Sequence, residues 1–388
     1  MPKIAFMPKH FFVPGLISLM IVFLILNNDY QSVHGQTIGL RPIVRLPQAI
    51  KESSGLVVTA PNSLWSHNDS GNANELYCFD TTGNLVRTLT VTNVENIDWE
   101  DLAVDDEKNI YIDDAGNNDN DRQDLAIHII SNPDLIAGDF TQAETINFVF
   151  EDQTAFPPPQ TNRNFDIEAL AWKDDSLLLF TKNRSTPQSG YCKQYILPAQ
   201  PGNFTARLVD SIYLGSTNNE ARVTSAVINH QTGEVLLLTA SRLLSFTQYL
   251  GNNIFAGTMT TYLFNSLPGQ VEAIDFISQN RVYVTEEGSS GLGGFLYEAV
   301  LPSQTGTVEI DKADAELRLI KQGDRIFLET KNGSEEFDEI QLFDFRGNLL
   351  LSETNTGSLS LAGISPGCYI IRCRQEGVPF NIKWVKRN

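Results

Sequence analysis

The feature that most constrains the fold of this chain is a pair of short strands, met repeatedly, whose first member opens on a polar residue. Its clearest copy runs from Asp98 to Arg122: Asp98-Trp99-Glu100-Asp101-Leu102-Ala103-Val104, a polar turn at 105–109, Ile110-Tyr111-Ile112, and a polar stretch beginning Asp113-Asp114-Ala115-Gly116. A strand, a tight turn and a second strand bring the start of the first strand and the end of the second to one end of the hairpin. That end is therefore loaded with carboxylate and amide oxygens. Four further openings have the same texture: Ser54-Gly55-Leu56-Val57-Val58, Glu168-Ala169-Leu170-Ala171-Trp172, Thr224-Ser225-Ala226-Val227-Ile228 and Glu272-Ala273-Ile274-Asp275-Phe276. Second and third strands follow each opening, and a fourth follows all but the last. Units of four short strands at a spacing of roughly fifty residues are the pattern of a β-propeller. The last unit lacks its fourth strand before the composition changes near Pro302, while an extra strand at 38–46 precedes the first unit. Supplying the one from the other closes a ring of five blades. A six-bladed ring would need a degenerate blade within 151–165, where Pro157-Pro158-Pro159 reads as loop.

In a propeller the first strand of each blade is innermost, so residues at its start ring the channel. That ring is Ser54, Glu100, Glu168, Thr224 and Glu272, with Glu52, Asp98, Asp166, Arg222 and Gln270 two residues earlier. The second-strand ends add Asp69, Asp114, Lys182, Asn183, Arg242, Glu286 and Glu287. Several carboxylates this close either raise their pKa values or bind a cation. Mixed carboxylate, amide and hydroxyl oxygens suit a hard ion taking many oxygen ligands, which selects Ca²⁺ over Zn²⁺. The metal ligands expected are Glu100, Glu168 and Glu272, and the ligand-binding residues Glu52, Asp69, Asp98, Asp114, Asp166, Lys182, Arg222, Arg242 and Glu286. The alternative is that each Glu caps a neighbouring blade or pairs with Lys182, Arg222 or Arg242. A second cluster, 113–121, has the composition of a Ca²⁺ loop without the spacing of an EF-hand, and its residues equally fit loop chemistry.

No Gly-Xaa-Ser-Xaa-Gly elbow, His-Glu-Xaa-Xaa-His, phosphate loop or Cys-Xaa-Xaa-Cys is present. His67, in Trp65-Ser66-His67-Asn68-Asp69, stands where a general base could face the channel, so the catalytic candidates are His67, Glu100 and Glu272. With one such His and no recognisable nucleophile, the reading leans to a binding or scaffold module for a small-molecule or glycan ligand. A Ca²⁺-dependent hydrolase of phosphoesters or lactones is the alternative.

Lys3, Lys9 and His10 precede an almost wholly apolar run at 11–26, and Val33 and Gly35 are small or permissive residues before Gln36. This is the layout of a secretory signal peptide over 1–35, with no later run long enough to span a bilayer. The formal net charge of −19, from 28 Lys+Arg against 47 Asp+Glu, argues against nucleic acid as a partner. Four cysteines in an exported chain invite disulfides, but Cys78 and Cys192 fall in different repeats, and Cys368 and Cys373, five apart in one strand, point to opposite faces. Buried free thiols are expected.

The texture changes after the propeller (36–302) and a linker (303–312). Seven short alternating runs within 313–388 form an Ig-like β-sandwich. Leu342-Phe343-Asp344-Phe345-Arg346-Gly347-Asn348-Leu349-Leu350, Ile364-Ser365-Pro366-Gly367-Cys368-Tyr369-Ile370 and the basic end at 383–387 resemble the C-terminal sorting domain of type IX secretion cargo in Bacteroidetes, with Leu-Phe-Asp in place of the family's usual Val-Tyr-Asp. The resemblance implies a chain handed by the type IX machinery from the periplasm to the cell surface or medium. Over about 49–301, Asn68-Asp69-Ser70-Gly71 and Glu100-Asp101-Leu102-Ala103 resemble the SdiA-regulated-type propellers, which implies a secreted or periplasmic propeller with a metal site at its mouth.

Overall fold

Alternating β-branched and aromatic residues, punctuated by Asn, Asp and Gly, become strands and tight turns almost throughout. The computed structural model describes residues 36–288, 293–302, 317–322, 325–330, 336–344, 348–365, 367–375 and 378–386. The signal segment and the linker expected from the sequence lie outside them. Two strands come first, β1 (Gln36–Ile38) and β2 (Arg41–Arg45). Unit I is β3 (Ser53–Ala60), β4 (Ser63–Asn68), β5 (Glu75–Phe79) and β6 (Leu85–Val91). Unit II is β7 (Leu102–Val104), β8 (Ile110–Asp114), β9 (Ala126–Ile130) and, after the short edge strand β10 (Phe140–Thr141), β11 (Glu144–Phe150). Unit III is β12 (Ile167–Lys173), β13 (Ser176–Thr181), β14 (Tyr191–Pro198) and β15 (Gly202–Tyr213). Unit IV is β16 (Val223–Ile228), β17 (Val235–Thr239), β18 (Arg242–Thr247) and β19 (Thr258–Phe264), and unit V is β20 (Val271–Ser278), β21 (Arg281–Glu286) and β22 (Phe295–Val300).

The first strands touch in cyclic order, β3 to β7 to β12 to β16 to β20 and back to β3. An apolar layer fills each boundary between units. Trp65, Trp99 and Ile112 lie between I and II; Phe150, Phe165 and Tyr195 between II and III; Phe180, Leu237 and Phe246 between III and IV; Leu238, Tyr262 and Val284 between IV and V; Leu56, Phe79 and Leu296 between V and I. Burying one such side chain contributes about 1.5–3 kcal/mol. The architecture is an all-β propeller. Residues 151–166 hold one 3-10 turn (Gln160–Asn162) and no strand, as the proline run foretells.

The strand expected at 38–46 divides. β2 pairs antiparallel with β22 and completes unit V, whereas β1 lies parallel along β19 of unit IV. Pro42, with no N–H to give, is tolerated because β2 is an edge strand. Beyond the propeller, β23 (Leu317–Gln322), β24 (Arg325–Thr330), β25 (Phe337–Asp344), β26 (Leu349–Thr356), β27 (Ser358–Ser360), β28 (Gly367–Gln375) and β29 (Val378–Lys386) form two sheets, ordered β23-β24-β27 and β26-β25-β28-β29, around Ile326, Ile340, Leu359 and Ile371. Cys78, Cys192 and Cys373 are buried free thiols.

The ring is tight enough for side chains to span its axis. The residue after each ring position is Gly55, Asp101, Ala169, Ser225 or Ala273, four small residues and one carboxylate. Asp101, fully buried, accepts hydrogen bonds from the backbone N–H groups of Leu170 (2.9 Å, unit III) and Ala226 (3.1 Å, unit IV) and from the Ser225 hydroxyl (3.0 Å). Ser225 Oγ in turn accepts from Ile274 N–H of unit V (3.3 Å), and Asp275 accepts from Val58 N–H of unit I (2.6 Å). Three polar side chains thus tie the inner strands together and seal the channel between its two ends.

Candidate functional site

The ring residues reach the channel through a repeated irregularity. In units III, IV and V the pairing of first and second strands slips between Ile167 and Ala169, Val223 and Ser225, and Val271 and Ala273. Glu168, Thr224 and Glu272 are the residues passed over. In unit II, Asp113 O accepts from Glu100 N–H and Asp113 N–H donates to Asp101 O, both at 2.9 Å, the same two-against-one arrangement. Unit I slips between Ser53 and Leu56. A bulge takes a side chain out of the strand's alternation and re-aims it. Here it gathers Ser54, Glu100, Glu168, Thr224 and Glu272 at one mouth, all buried.

This mouth has an acidic and a basic half. Asp69, at the end of β4, and Asp98 and Glu100, ahead of β7, present carboxylate oxygens that lie within 4.8 Å of one another. Asp98 is positioned through its N–H, which donates to Asp114 Oδ1 at 3.0 Å; Asp114 is held by Arg122 Nη2 and His128 Nε2, both at 3.2 Å. The cluster rests on Gly116, where a Cβ would stand 2.5 Å from Glu100 Oε1 and 2.6 Å from Asp98 Oδ2. Across the channel Lys182 Nζ donates to Glu168 Oε2 at 2.6 Å, and Arg184 donates both to Glu168 Oε1 and, at 2.5 Å, to Asp166 Oδ2. Arg222 lies alongside, its backbone bridged to Lys182, with Nε buried and unpartnered among the described residues.

Titration follows this division. Burial, then Glu168 and Asp69, hold the Glu100 carboxyl well above the usual carboxylate range; burial and Asp69 push Asp98 up to about 6, and burial raises Asp69. Burial would raise Glu168 too, but Lys182 and Arg184 outweigh it and hold Glu168 below its ordinary value. Glu100 and Glu168 also lie within hydrogen-bonding reach of each other, which adds to the lowering of Glu168. Asp166 and Glu272 are each pushed up to about 7, first by burial.

Several expectations need correcting. The metal-compatible group among the described residues is Asp69, Asp98 and Glu100, not Glu100, Glu168 and Glu272, because both oxygens of Glu168 are taken by cations. Arg242 turns from the channel to the carbonyls of Leu214 and Glu220, and Glu286 accepts from Gly269 N–H (2.7 Å) and the Tyr297 hydroxyl (2.9 Å). Glu52 is occupied by Asn72 and Lys51. His67 shares with Trp65 the face of β4 turned to unit II: it is fully buried, edge-on to Trp99 with centroids 5.6 Å apart, and pushed down to about 4 by burial. Its Nε2 lies 2.6 Å from where a Cβ on Gly55 would stand, so it faces packed chain rather than the channel. The 113–121 stretch is loop chemistry. Asn117 Oδ1 accepts from Arg122 N–H, and Asn120 Oδ1 accepts from Phe165 N–H, pinning unit II to unit III.

Arg184, Asp101 and Asp275 escape the sequence reading. Asp101 carries a signal in hindsight, as the one large residue in a register position otherwise filled by Gly, Ala and Ser. A cavity of about 260 Å³ lies not at the mouth but at the opposite ends of the same inner strands, below the Asp101 seal.

No protein-family model matches the chain, and no curated protein matches it in sequence. Among solved structures it is similar to a gluconolactonase from Xanthomonas campestris (12% identity over 70% of this chain and 88% of that one, TM-score 0.36). It is also similar to a catalytically inactive virginiamycin B lyase from Staphylococcus aureus in complex with quinupristin (11% identity, 66% and 69%, TM-score 0.33). At these values the likeness carries no argument about ligand or chemistry.

Proposed function

We propose that this is an exported ligand-binding propeller that holds Ca²⁺ at its mouth through Asp69, Asp98 and Glu100 and is delivered to the cell surface by its C-terminal domain. The observation that carries the metal reading is the convergence of three carboxylate groups within 4.8 Å on a glycine cradle, with raised pKa values that a cation would relieve. The donors are all oxygens, which fits a hard divalent ion. Lys182 and Arg222 beside them suit an anionic group on the ligand, so a ligand could be gripped by metal and cation together.

Calcium binding only to the folded state adds about 2.7 kcal/mol at a hundredfold excess over its dissociation constant. The expected result is a melting temperature lowered by roughly 5–10 °C on chelation. Calorimetric titration should show one site in the wild type and none in Asp98→Asn or Glu100→Gln. Equal melting curves with and without chelator would remove the metal from this reading.

Hydrolysis is the second reading, favoured by one observation: Glu272, at the same mouth but outside the metal group, has its carboxyl pushed up to about 7, close enough to neutrality for proton transfer. Calcium-dependent turnover of a lactone or phosphoester, lost in Glu272→Gln while calcium binding is kept, is its test. The sorting role is tested by deleting 313–388, which should leave a folded propeller in the periplasm; surface display of that truncation would overturn it.

A further inference from the structure

The lower cavity is a second site, separate from the mouth. Every unit contributes to its wall near the far end of its first strand, through Val58, Val104, Trp172, Ile228 and Phe276. Its roof is the seal, where both Asp275 oxygens are already occupied, by Val58 N–H at 2.6 Å and Phe276 N–H at 2.7 Å. On one side Trp172 and His230 form an aromatic wall, their ring centroids 5.6 Å apart. At the rim stands Lys108, carried on the β7–β8 turn with φ of 68°.

Lys108 sets this cavity apart from an ordinary gap in packing. Of the lysines whose side chains the structure describes, Lys51, Lys173, Lys182 and Lys193 each lie within 4.0 Å of a carboxylate, at Glu52, Asp174, Glu168 and Asp152. Lys108 has no such partner among the described residues, although the chain as a whole carries a large excess of acid. Asp106, Lys173 and Asp174 also act on His230 from a distance, but Lys173 and Asp174 are spent on each other at 2.8 Å. The cavity thus offers aliphatic strand-end side chains, a flat aromatic face and an ammonium group that is in no ion pair among the described residues, its charge also reaching the Asp275 carboxyl in the same wall. About 260 Å³ corresponds to roughly nine waters at ~30 Å³ each, the bulk of a single-ring organic acid.

We propose that the lower cavity binds a small aromatic carboxylate, its ring against Trp172 and the aliphatic wall and its carboxylate on Lys108 Nζ. Ammonium–carboxylate hydrogen bonds are the stronger kind, and the aliphatic and aromatic side chains of the wall give the ring a surface to pack on.

Benzoate is the probe, titrated calorimetrically into the full mature chain, with benzamide as its uncharged counterpart. The expected result is saturable binding of benzoate that weakens at least tenfold in Lys108→Met and is likewise lost in Val104→Phe, which fills the space. Binding should persist unchanged in Asp98→Asn and Glu100→Gln, whose lesions lie across the seal. Lys108 is a partly exposed turn residue, so its variant tests the idea even if Val104→Phe fails to fold. Three results would each overturn the proposal: no saturable benzoate binding, equal affinity in Lys108→Met, or benzamide binding as tightly as benzoate. Loss of binding in the mouth variants alone would do the same by moving the site to the other end, and it would leave the calcium reading untouched.

Discussion

The two ends of the channel are built from the same five inner strands, yet one is a carboxylate cluster and the other a cup of aliphatic and aromatic side chains with Asp275 in its wall and Lys108 at its rim. Composition alone does not account for the difference. At the mouth, bulges take Glu100, Glu168 and Glu272 out of alternation and crowd them where burial strips their water. At the far end the inner strands turn over in short hairpins, such as the two-residue turn at Asp174 and Asp175 (φ 47° and 57°); units I and V slip again there, between Val58 and Ala60 and between Phe276 and Ser278, and the lining sets Val58, Val104, Trp172 and Ile228 beside Asp275 and Lys108. Between the ends, one carboxylate at Asp101 does for the ring what backbone ladders do within each sheet. The lesson is that at the mouth a repeated bulge, and not composition alone, brings the carboxylates together.

The sharpest way to break the contrast is to remove the partition. Asp101→Ala strands several buried N–H groups and should lower the free energy of unfolding by about 3–5 kcal/mol, measured by urea denaturation, and weaken ligands at both ends. A variant as stable as the wild type would mean that the seal is not structural. Next in size is Glu168→Gln, which leaves Lys182 and Arg184 facing a neutral group and should cost about 3 kcal/mol. Because Glu168 is already neutralised, the response to chelator should survive in this variant; its disappearance would return Glu168 to the metal's ligands.

Gly116→Ala puts a methyl group into the Glu100–Asp98 pair and should cost about 1–2 kcal/mol while weakening calcium at least tenfold. Benzoate binding below the seal should not move. The smallest effect is on pH. Asp98 rises from 3.8 to about 6 on folding, so the folded state holds its proton more tightly; that stabilisation is full below about pH 4 and lost as pH climbs through 6. Calcium needs the deprotonated form, so the gap between melting curves with calcium and with chelator should widen by a few degrees between pH 4 and 7. Glu168, held low, works in the other direction, its contribution fading only as pH falls below 4.5. A gap that does not change with pH would count against Asp98 as a ligand.

Much of the scaffold was legible in the sequence. Period-two alternation and turn residues mark most strands to within a residue or two, and the strand missing after Phe295–Val300 pointed to the N-terminus. Part of the mouth was legible as well, since hairpin geometry alone puts Glu100 and Asp69 at one end, whereas Arg242 and His67, placed there by the same argument, turn elsewhere. Their pairing was not, because it depends on reach across units. Arg184 lies two residues beyond Lys182, outside the strand, and nothing local says that it returns to Glu168 and Asp166. His67 misled for the opposite reason: a polar residue in a polar run looks accessible, but its place in the alternation of β4 turns it against Trp99. Asp101 reads as one more acid in a string until the axis is known to admit one long side chain.

The division of the N-terminal segment between β1 and β2 bears on when this molecule can exist as a closed object. Arg41 reaches Glu298 from 257 positions away, and Arg281 grips the other oxygen of that carboxylate at 2.5 Å. Bringing ends so distant together costs on the order of 5 kcal/mol in chain entropy, more than joining neighbouring strands within a unit. A polypeptide emerging N-terminus first would carry its own fastener loose and idle until Glu298, 257 positions on from Arg41, had arrived. Until then unit V stands without its outer strand, and β22 is left as an open edge.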